Sequence, residues 1–255
     1  MGSSNVIVGD AQTDRAVKTL ATPPGSPLSI RYPHGIGLHE GIDRLLVTST
    51  VRPSDLGEAG ENVTVIEAGS GKVLSSHKVS NGPDAIGAAP VEVVFLPDAN
   101  PPLAYINNML SGTLWTAEWQ ADRKAFHFQQ AYDFNGIQQG VPLEIYFNAN
   151  KSRLYITTAK PGNFNIFDIS RSAAQPTLLK SIPAAAGAHH VAFSPDERYA
   201  FIQNSLLNLP DMNDGSITVL DLEKLEAIAR IDTLKNQGLT PNSIVLMPRR
   251  HRKTD

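Results

Sequence analysis

Apolar and polar residues alternate in short runs along the chain, and one arrangement of these runs returns several times. Each copy has a short apolar strand, a turn rich in Asp, Asn, Pro or Gly, and a second apolar strand that ends in Ser, Thr or Asn. The copies are 57, 52, 46 and 53 residues apart, counted between Pro33, Pro90, Pro142, Ala188 and Pro241. Short alternating runs separated by turn residues predict β-strands.

Further strands follow each pair. They read "VTVIEAGSGKVLSSHKV", "TLWTAEWQADRKAFHF", "FNIFDISRSAAQPTLLKSI" and "ITVLDLEKLEAIARI", and the last strand of each carries Lys, Arg or Glu. A charged outer strand protects a sheet edge against pairing with another chain. Four short strands within about 40–50 residues, repeated along the chain, are typical of the blades of a β-propeller.

The two ends of the chain predict one more blade. Residues 5–20 match a third and fourth strand, and residues 240–248 match a first strand. We therefore expect an all-β fold, a five-bladed β-propeller whose last blade is closed by the N- and C-terminal strands. The prediction is a single domain over 1–255, with blades at 29–80, 88–134, 141–183, 187–234, and 240–248 with 5–20, followed by a basic tail at 249–255.

The repeats resemble a known group of propellers. The second strands "LLVTS", "AYINN", "LYITT" and "AFIQN" resemble the YVTN repeat, and "FSPDERYAFI" is similar to the Ser-Pro-Asp-Gly turn of YVTN-type and lactonase-like propellers. "PHG", "PVEVVF" and "PLEIYF" also resemble the selenium-binding protein and methanethiol oxidase group. The lactonase-like resemblance implies a metal ion at the mouth of the central channel, held by acidic and Asn ligands.

The first strand of a propeller blade lines the channel, and the second strand returns to the same face. Residues at the start of first strands and the end of second strands therefore converge on one mouth. Aligning the first strands places Glu92, Glu144 and His190 in one ring. We expect these three residues to be catalytic or to bind one divalent metal ion, because carboxylates and imidazole are suitable ligands. Without a metal, facing carboxylates and His190 would form an acid/base group.

A second set is expected to contact substrate. Its members lie beside the ring, at the ends of second strands, or where an aromatic ring could wall a pocket: His34, Tyr32, Ser49, Asn108, Tyr146, Thr158, His189, Asn204 and Asn242. His189 has the opposite side-chain parity from His190, so we expect only His190 to face the centre. The other histidines, at 39, 77, 127 and 251, are expected on the surface. Long loops at 51–61 and 205–214 would surround the site.

These residues favour a small-molecule enzyme, either a metal-assisted or acid/base hydrolase or isomerase acting on an oxygenated organic substrate. Two alternatives stay open. One is a cofactor-independent cyclase or pericyclase of fungal natural-product biosynthesis, in which a shaped pocket orients the substrate. The other is a non-catalytic binding or scaffold module, since glutamates at strand starts can simply bind backbone amides.

The composition of the chain limits the classes of partner that we expect it to bind. The chain has 22 Lys and Arg against 25 Asp and Glu, a formal net charge of −3, so we expect no nucleic-acid partner. It has no cysteine, and no apolar run reaches the roughly 18 residues of a membrane span. The sequons at Asn62 and Asn150 mildly favour the secretory pathway or secretion. The opening "MGSS" is typical of an expression vector and does not decide whether a native leader was removed.

Overall fold

The fold is known from a computed structural model, which describes residues 4–22, 26, 28, 30–52, 55–81, 87–207 and 209–247. Of residues 55 and 56 it describes the backbone alone. The predicted basic tail at 249–255 lies outside these ranges.

The regular structure of the described residues is almost entirely β. The strands are β1 (Asn5–Asp10), β2 (Arg15–Ala21), β3 (Pro33–His39), β4 (Arg44–Ser49), β5 (Val51–Arg52), β6 (Asp55–Ala59), β7 (Asn62–Glu67), β8 (Lys72–Lys78), β9 (Pro90–Phe95), β10 (Leu103–Asn108), β11 (Thr113–Gln120), β12 (Ala125–Asp133), β13 (Gly140–Phe147), β14 (Arg153–Lys160), β15 (Gly162–Asp168), β16 (Thr177–Pro183), β17 (Ala188–Phe193), β18 (Tyr199–Asn204), β19 (Ile217–Asp221) and β20 (Glu226–Ile231). Short 3-10 helices cover Glu40–Ile42, Phe134–Ile137 and Lys235–Gln237.

Four sheets contain four strands each, and they coincide with the four complete repeats of the sequence. In strand order they are the first sheet (β3-β4-β7-β8), the second (β9-β10-β11-β12), the third (β13-β14-β15-β16) and the fourth (β17-β18-β19-β20). The pairing is antiparallel. The predicted charged outer strands are confirmed as sheet edges: β8, β12, β16 and β20.

The chain forms two compact units. The first unit comprises residues 1–156 and 166–179, and the second unit comprises residues 157–165 and 180–255. Each unit is described by itself below.

The core of the first unit lies between the faces of neighbouring sheets. One buried cluster joins the first and second sheets through Leu46, Val63, Val65, Val93, Ile106, Trp115 and Phe126. Another contains Tyr105, Leu114, Phe134, Ile145, Leu154 and Phe167. Burial of these large apolar side chains, each contributing about 1.5–3 kcal/mol, fixes the sheets on which the candidate site is built.

The N-terminal segment folds as predicted into a pair of strands. β1 and β2 form an antiparallel hairpin. Val6 and Leu20 of this hairpin pack in one cluster with Val47 and Ile66 of the first sheet.

The predicted strand at 240–248 is wrong over the residues that the structure describes there. Residues 240–247 form no strand. Val245 and Met247 are each 82% exposed, so the apolar side chains that would stabilise a strand by packing are left in solvent, and Pro241 lacks an amide donor.

Both predicted long loops contain hydrogen-bonded structure among their described residues. Residues 51–61 contain the hairpin β5–β6. The loop at 205–214 closes on itself, because the Leu206 amide donates to the Met212 carbonyl at 2.8 Å and the Ser205 hydroxyl donates to Asn213 Oδ1 at 2.7 Å.

The two sequons differ in exposure. Asn62 begins β7, where Thr64 is fully buried, whereas Asn150 lies in an exposed turn. Only the Asn150 sequon is therefore presented at the surface of the folded chain.

No helix among the described residues has the length and apolar character needed to cross a membrane.

Candidate functional site

A β-bulge interrupts the first strand of three sheets at the same place. The register shifts within 33–36 of β3, 90–93 of β9 and 188–191 of β17. A bulge breaks the side-chain alternation of a strand and re-aims the residues inside it, and bulges are frequent beside active sites. These three bulges contain the predicted site residues His34, Glu92, His189 and His190.

The bulges of the first and second sheets bring together an imidazole and a carboxylate. His34 Nδ1 lies 3.1 Å from Glu92 Oε1, and the two side chains are 34% and 21% exposed. The pair is thus partly shielded from water yet open to a small molecule. Both residues belong to the first unit.

The close approach of β3 to β9 explains why the two side chains meet. A Cβ added at Gly35 would lie 2.4 Å from the Val91 carbonyl oxygen and 2.8 Å from the Val93 amide nitrogen. The Gly35 amide donates to Thr48 Oγ1 at 2.8 Å, and the Thr48 hydroxyl donates to the Val91 carbonyl at 2.9 Å. Only glycine allows this spacing, and Thr48 holds the two strands in it.

The surroundings of His34 raise its pKa. The hydrogen bond to Glu92 is the largest cause, and the negative charges of Glu92 and Glu144 act in the same direction, against the opposing effect of burial. A hydrogen bond to the Val91 carbonyl adds to the rise. His34 therefore keeps its proton at a higher pH than a free imidazole does.

The raised pKa of His34 predicts a pH dependence of stability. The folded state holds this proton more tightly than the unfolded state, whose reference pKa is 6.5. The stabilisation is therefore complete below pH 6.5 and is lost as the pH rises through the folded pKa. Denaturant unfolding of the wild type and of His34→Gln at several pH values measures it: the difference in unfolding free energy should shrink above pH 6.5.

His77 supplies the control for that measurement. It was predicted on the surface, but it is half-buried, stacks on Phe128 at 4.5 Å and contacts the Ser75 hydroxyl at 2.8 Å. Burial lowers its pKa, so the effect of His77→Gln should change with pH below 6.5 instead.

A His34→Gln difference that is constant from pH 6 to 9 would contradict the raised pKa.

Glu144 lies half-buried on β13 in the first unit, where Tyr146 follows it with the same parity and the same partial exposure. The charge of Glu144 acts on His34. The structure therefore brings both predicted glutamates of the first unit to the surroundings of His34.

The predicted substrate contacts at the ends of second strands are buried and have structural roles. Asn108 donates to the Val79 carbonyl at 2.6 Å, and Asn204 donates to Thr218 Oγ1 at 3.0 Å. Ser49 Oγ accepts from the Arg31 amide at 3.1 Å, and Thr158 Oγ1 accepts from the Asn165 side chain at 3.3 Å. All four are at most 1% exposed, so we assign them to the sheets rather than to substrate.

In the second unit, His189 and His190 do not point to opposite faces of β17. Their rings stack with centroids 3.9 Å apart. The parity prediction was wrong because the bulge at 188–191 removes the alternation on which it depended. His189 is buried and His190 is half-buried, with its amide donating to Gln203 Oε1 at 3.3 Å. Asn242 is exposed in the segment that forms no strand.

Sequence reasoning missed a charged cluster around Glu58. Glu58 Oε1 accepts from the Tyr32 hydroxyl at 2.5 Å and from Arg31 Nη2 at 2.9 Å. Glu58 Oε2 accepts from Arg52 Nη1 at 3.1 Å. Tyr32 was expected to line a pocket, and in the structure its hydroxyl is held by Glu58. For Arg52 and Glu58, the only signal in the sequence was the length and mixed charge of the 51–61 loop.

The sequence matches no protein-family model and no curated protein. Solved structures do resemble the chain. A hypothetical selenium-binding protein from Sulfolobus tokodaii has 12% identity and a TM-score of 0.68, over 87% of this chain and 58% of that one. The periplasmic gluconolactonase of Pseudomonas aeruginosa has 15% identity and a TM-score of 0.60, over 89% of this chain and 62% of that one.

The Dos1 propeller also matches, with 12% identity and a TM-score of 0.59, over 90% of this chain and 53% of that one. The chain spans between about half and two thirds of the length of these three structures. At such low identity the likeness shows the fold alone, and that fold is a β-propeller of the kind to which lactonase-like proteins belong.

Proposed function

We propose that the chain is a hydrolase-type enzyme that opens a small cyclic ester or a related oxygenated ring compound beside His34. The observation that carries the proposal is the contact between His34 Nδ1 and Glu92 Oε1, 3.1 Å apart and partly open to solvent. A positioned imidazole with a carboxylate partner is a common acid/base catalyst.

The roles follow from the charges around His34. Its raised pKa keeps the imidazolium form to a higher pH than in a free imidazole, so His34 acts as the general acid. Glu92 holds the imidazolium in place by its hydrogen bond, and is a positioning residue in this scheme. Glu144, the second carboxylate near His34, is assigned as the general base.

The proposed reaction needs water and no other reactant. Water attacks the ester carbonyl carbon and gives a proton to the Glu144 carboxylate. The carbon–oxygen bond of the ring breaks, and the leaving oxygen takes the proton of His34. The product is a hydroxy acid, and the proton on Glu144 returns to His34 through solvent.

A metal-assisted form of the same chemistry is also compatible with these side chains. The carboxylates of Glu92 and Glu144 and the imidazole of His34 are donors that divalent cations accept. A bound cation would polarise the ester carbonyl. The prediction that His190 completes a metal site with Glu92 and Glu144 joins residues of both units, and it stays a prediction.

Two of the structural neighbours support the hydrolase reading by name: the periplasmic gluconolactonase and a putative 6-phosphogluconolactonase from Bacteroides fragilis. The test is proton release from a panel of five- and six-membered lactones in a pH-stat, with and without EDTA and added Zn²⁺, Mn²⁺ or Ca²⁺. We expect ring opening above the spontaneous rate for at least one lactone. No acceleration under any of these conditions would overturn the proposal.

We also propose that residues around 241 take the place of a fifth first strand, as a five-bladed propeller requires. Two hydrogen bonds support this. The penultimate residue of β10, Asn107, donates to the Leu143 carbonyl of the following first strand at 2.9 Å. The penultimate residue of β18, Gln203, donates to the Pro241 carbonyl at 2.5 Å. Pro241 thus accepts the bond that a following first strand accepts elsewhere in the chain.

A further inference from the structure

The residues that flank the hairpin β5–β6 bond to the chain just before the strands that carry the His34–Glu92 pair. At its base, the Thr50 amide donates to the Tyr32 carbonyl at 3.2 Å, and the Gly60 carbonyl accepts from the Ala89 amide at 2.8 Å. Tyr32 precedes His34 by two residues, and Ala89 precedes Glu92 by three. The hairpin is therefore attached at the entry to both strands that carry the pair.

Glu58 of this hairpin is shared by two arginines. It contacts Arg31 at 2.9 Å and Arg52 at 3.1 Å, and the arginine side chains are 50% and 52% exposed. The pKa of Glu58 is lowered, first by the Tyr32 hydroxyl and then by Arg52. Glu58 thus contacts both guanidinium groups.

We infer that Arg31 and Arg52 form a binding site for an anionic group, a carboxylate or a phosphate, on the small molecule that reacts beside His34.

The chemistry of arginine supports this assignment. A guanidinium presents five N–H donors in a planar fork, and the fork matches the oxygens of a carboxylate or a phosphate. Each arginine makes one of its contacts to Glu58, so Glu58 fixes the forks in place while half of each side chain remains exposed. A preorganised pair loses less side-chain entropy on binding than two mobile arginines would.

The distance from the reacting groups also fits one small molecule. Arg31 is three residues from His34, so their backbones are at most about 10 Å apart. Between them, Tyr32 has a φ of 46°, a left-handed conformation that is rare for a bulky residue and costs about 1–3 kcal/mol. Its phenol bonds to Glu58 at 2.5 Å, so the same carboxylate holds the arginines and the unusual backbone beside the site.

The inference rests on the proposed function only in assigning the anionic group to the substrate. Binding of the group itself can be tested without any turnover. Calorimetric titration of the full chain with inorganic phosphate and with acetate separates the two sources of anionic oxygen.

We expect the wild type to bind at least one of these ions. The double variant Arg31→Gln/Arg52→Gln should bind it about tenfold to a hundredfold more weakly, the loss of charge-assisted hydrogen bonds. Glu58→Gln should bind it more tightly, because the Gln amide oxygen can still accept from the arginines while the competing negative charge is gone. If Glu58 and the two arginines had only a structural role, Glu58→Gln would show no gain in anion affinity.

The matched control is Arg123→Gln/Arg171→Gln, which removes the same charge at exposed positions and should leave anion affinity unchanged. Absence of phosphate and acetate binding in the wild type, or equal affinity in the Arg31/Arg52 variant and the wild type, would overturn the inference. His34→Gln separates the two proposals: it should abolish ring opening while anion binding persists. Anion binding that depends on the arginines, without hydrolysis of any lactone, would refute the proposed function alone.

Discussion

Replacing His34 by Gln is expected to lower kcat/KM for ring opening by about 100- to 10,000-fold, the usual contribution of a positioned general acid. The variant removes the proton donor and keeps a side chain of similar size at the bulge of β3. In the wild type, the rate should fall as the pH rises through the raised pKa of His34, because the imidazolium is the active form. Initial rates between pH 5 and 10 measure both effects.

The control for this variant is His127→Gln, on the exposed side of the edge strand β12. It should retain the wild-type rate. Circular dichroism of both variants establishes that each is folded. A folded His34→Gln protein with the wild-type rate and pH profile would show that His34 is not the acid.

Replacing Gly35 by Ala is expected to destabilise the protein by about 1–3 kcal/mol or more. The new methyl would lie 2.4 Å from the Val91 carbonyl oxygen and 2.9 Å from the Glu92 Cα, which are backbone atoms. The strands β3 and β9 would have to separate, and the contact between His34 and Glu92 would open with them. Urea unfolding measures the stability, and the lactone assay measures the accompanying loss of rate.

Gly136 provides the matched control. A Cβ at Gly136 meets nothing within 4 Å, so Gly136→Ala should be neutral or slightly stabilising. Equal midpoints for Gly35→Ala and the wild type would mean that β3 and β9 are not held as closely as described.

The sheets could be predicted from the sequence because their signals are local. Alternating apolar residues, turn residues and a charged last strand each lie within one repeat, and the four complete repeats became the four-stranded sheets. The prediction of a strand at 240–247 also depended on a local signal alone, and it was wrong. Its apolar residues resemble a first strand, but a strand also needs a partner to pack and pair with, and Val245 and Met247 are left exposed.

The site was harder to predict than the sheets because bulges carry no clear sequence signal. His34 was expected only to contact substrate, although its contact with Glu92 makes it the central residue of the pair. The bulge in β17 likewise removes the alternation on which the expectation for His189 depended. Arg52 and Glu58 were missed because their meeting with Tyr32 depends on the fold of the β5–β6 hairpin.

The partnership of His34 and Glu92 is tested most directly by an NMR titration of the His34 ring. We expect a pKa above 6.5 in the wild type and a clear downward shift in Glu92→Gln, where the charged hydrogen-bond partner is lost. A wild-type pKa at or below 6.5, unchanged in Glu92→Gln, would contradict the pairing and the chemistry built on it.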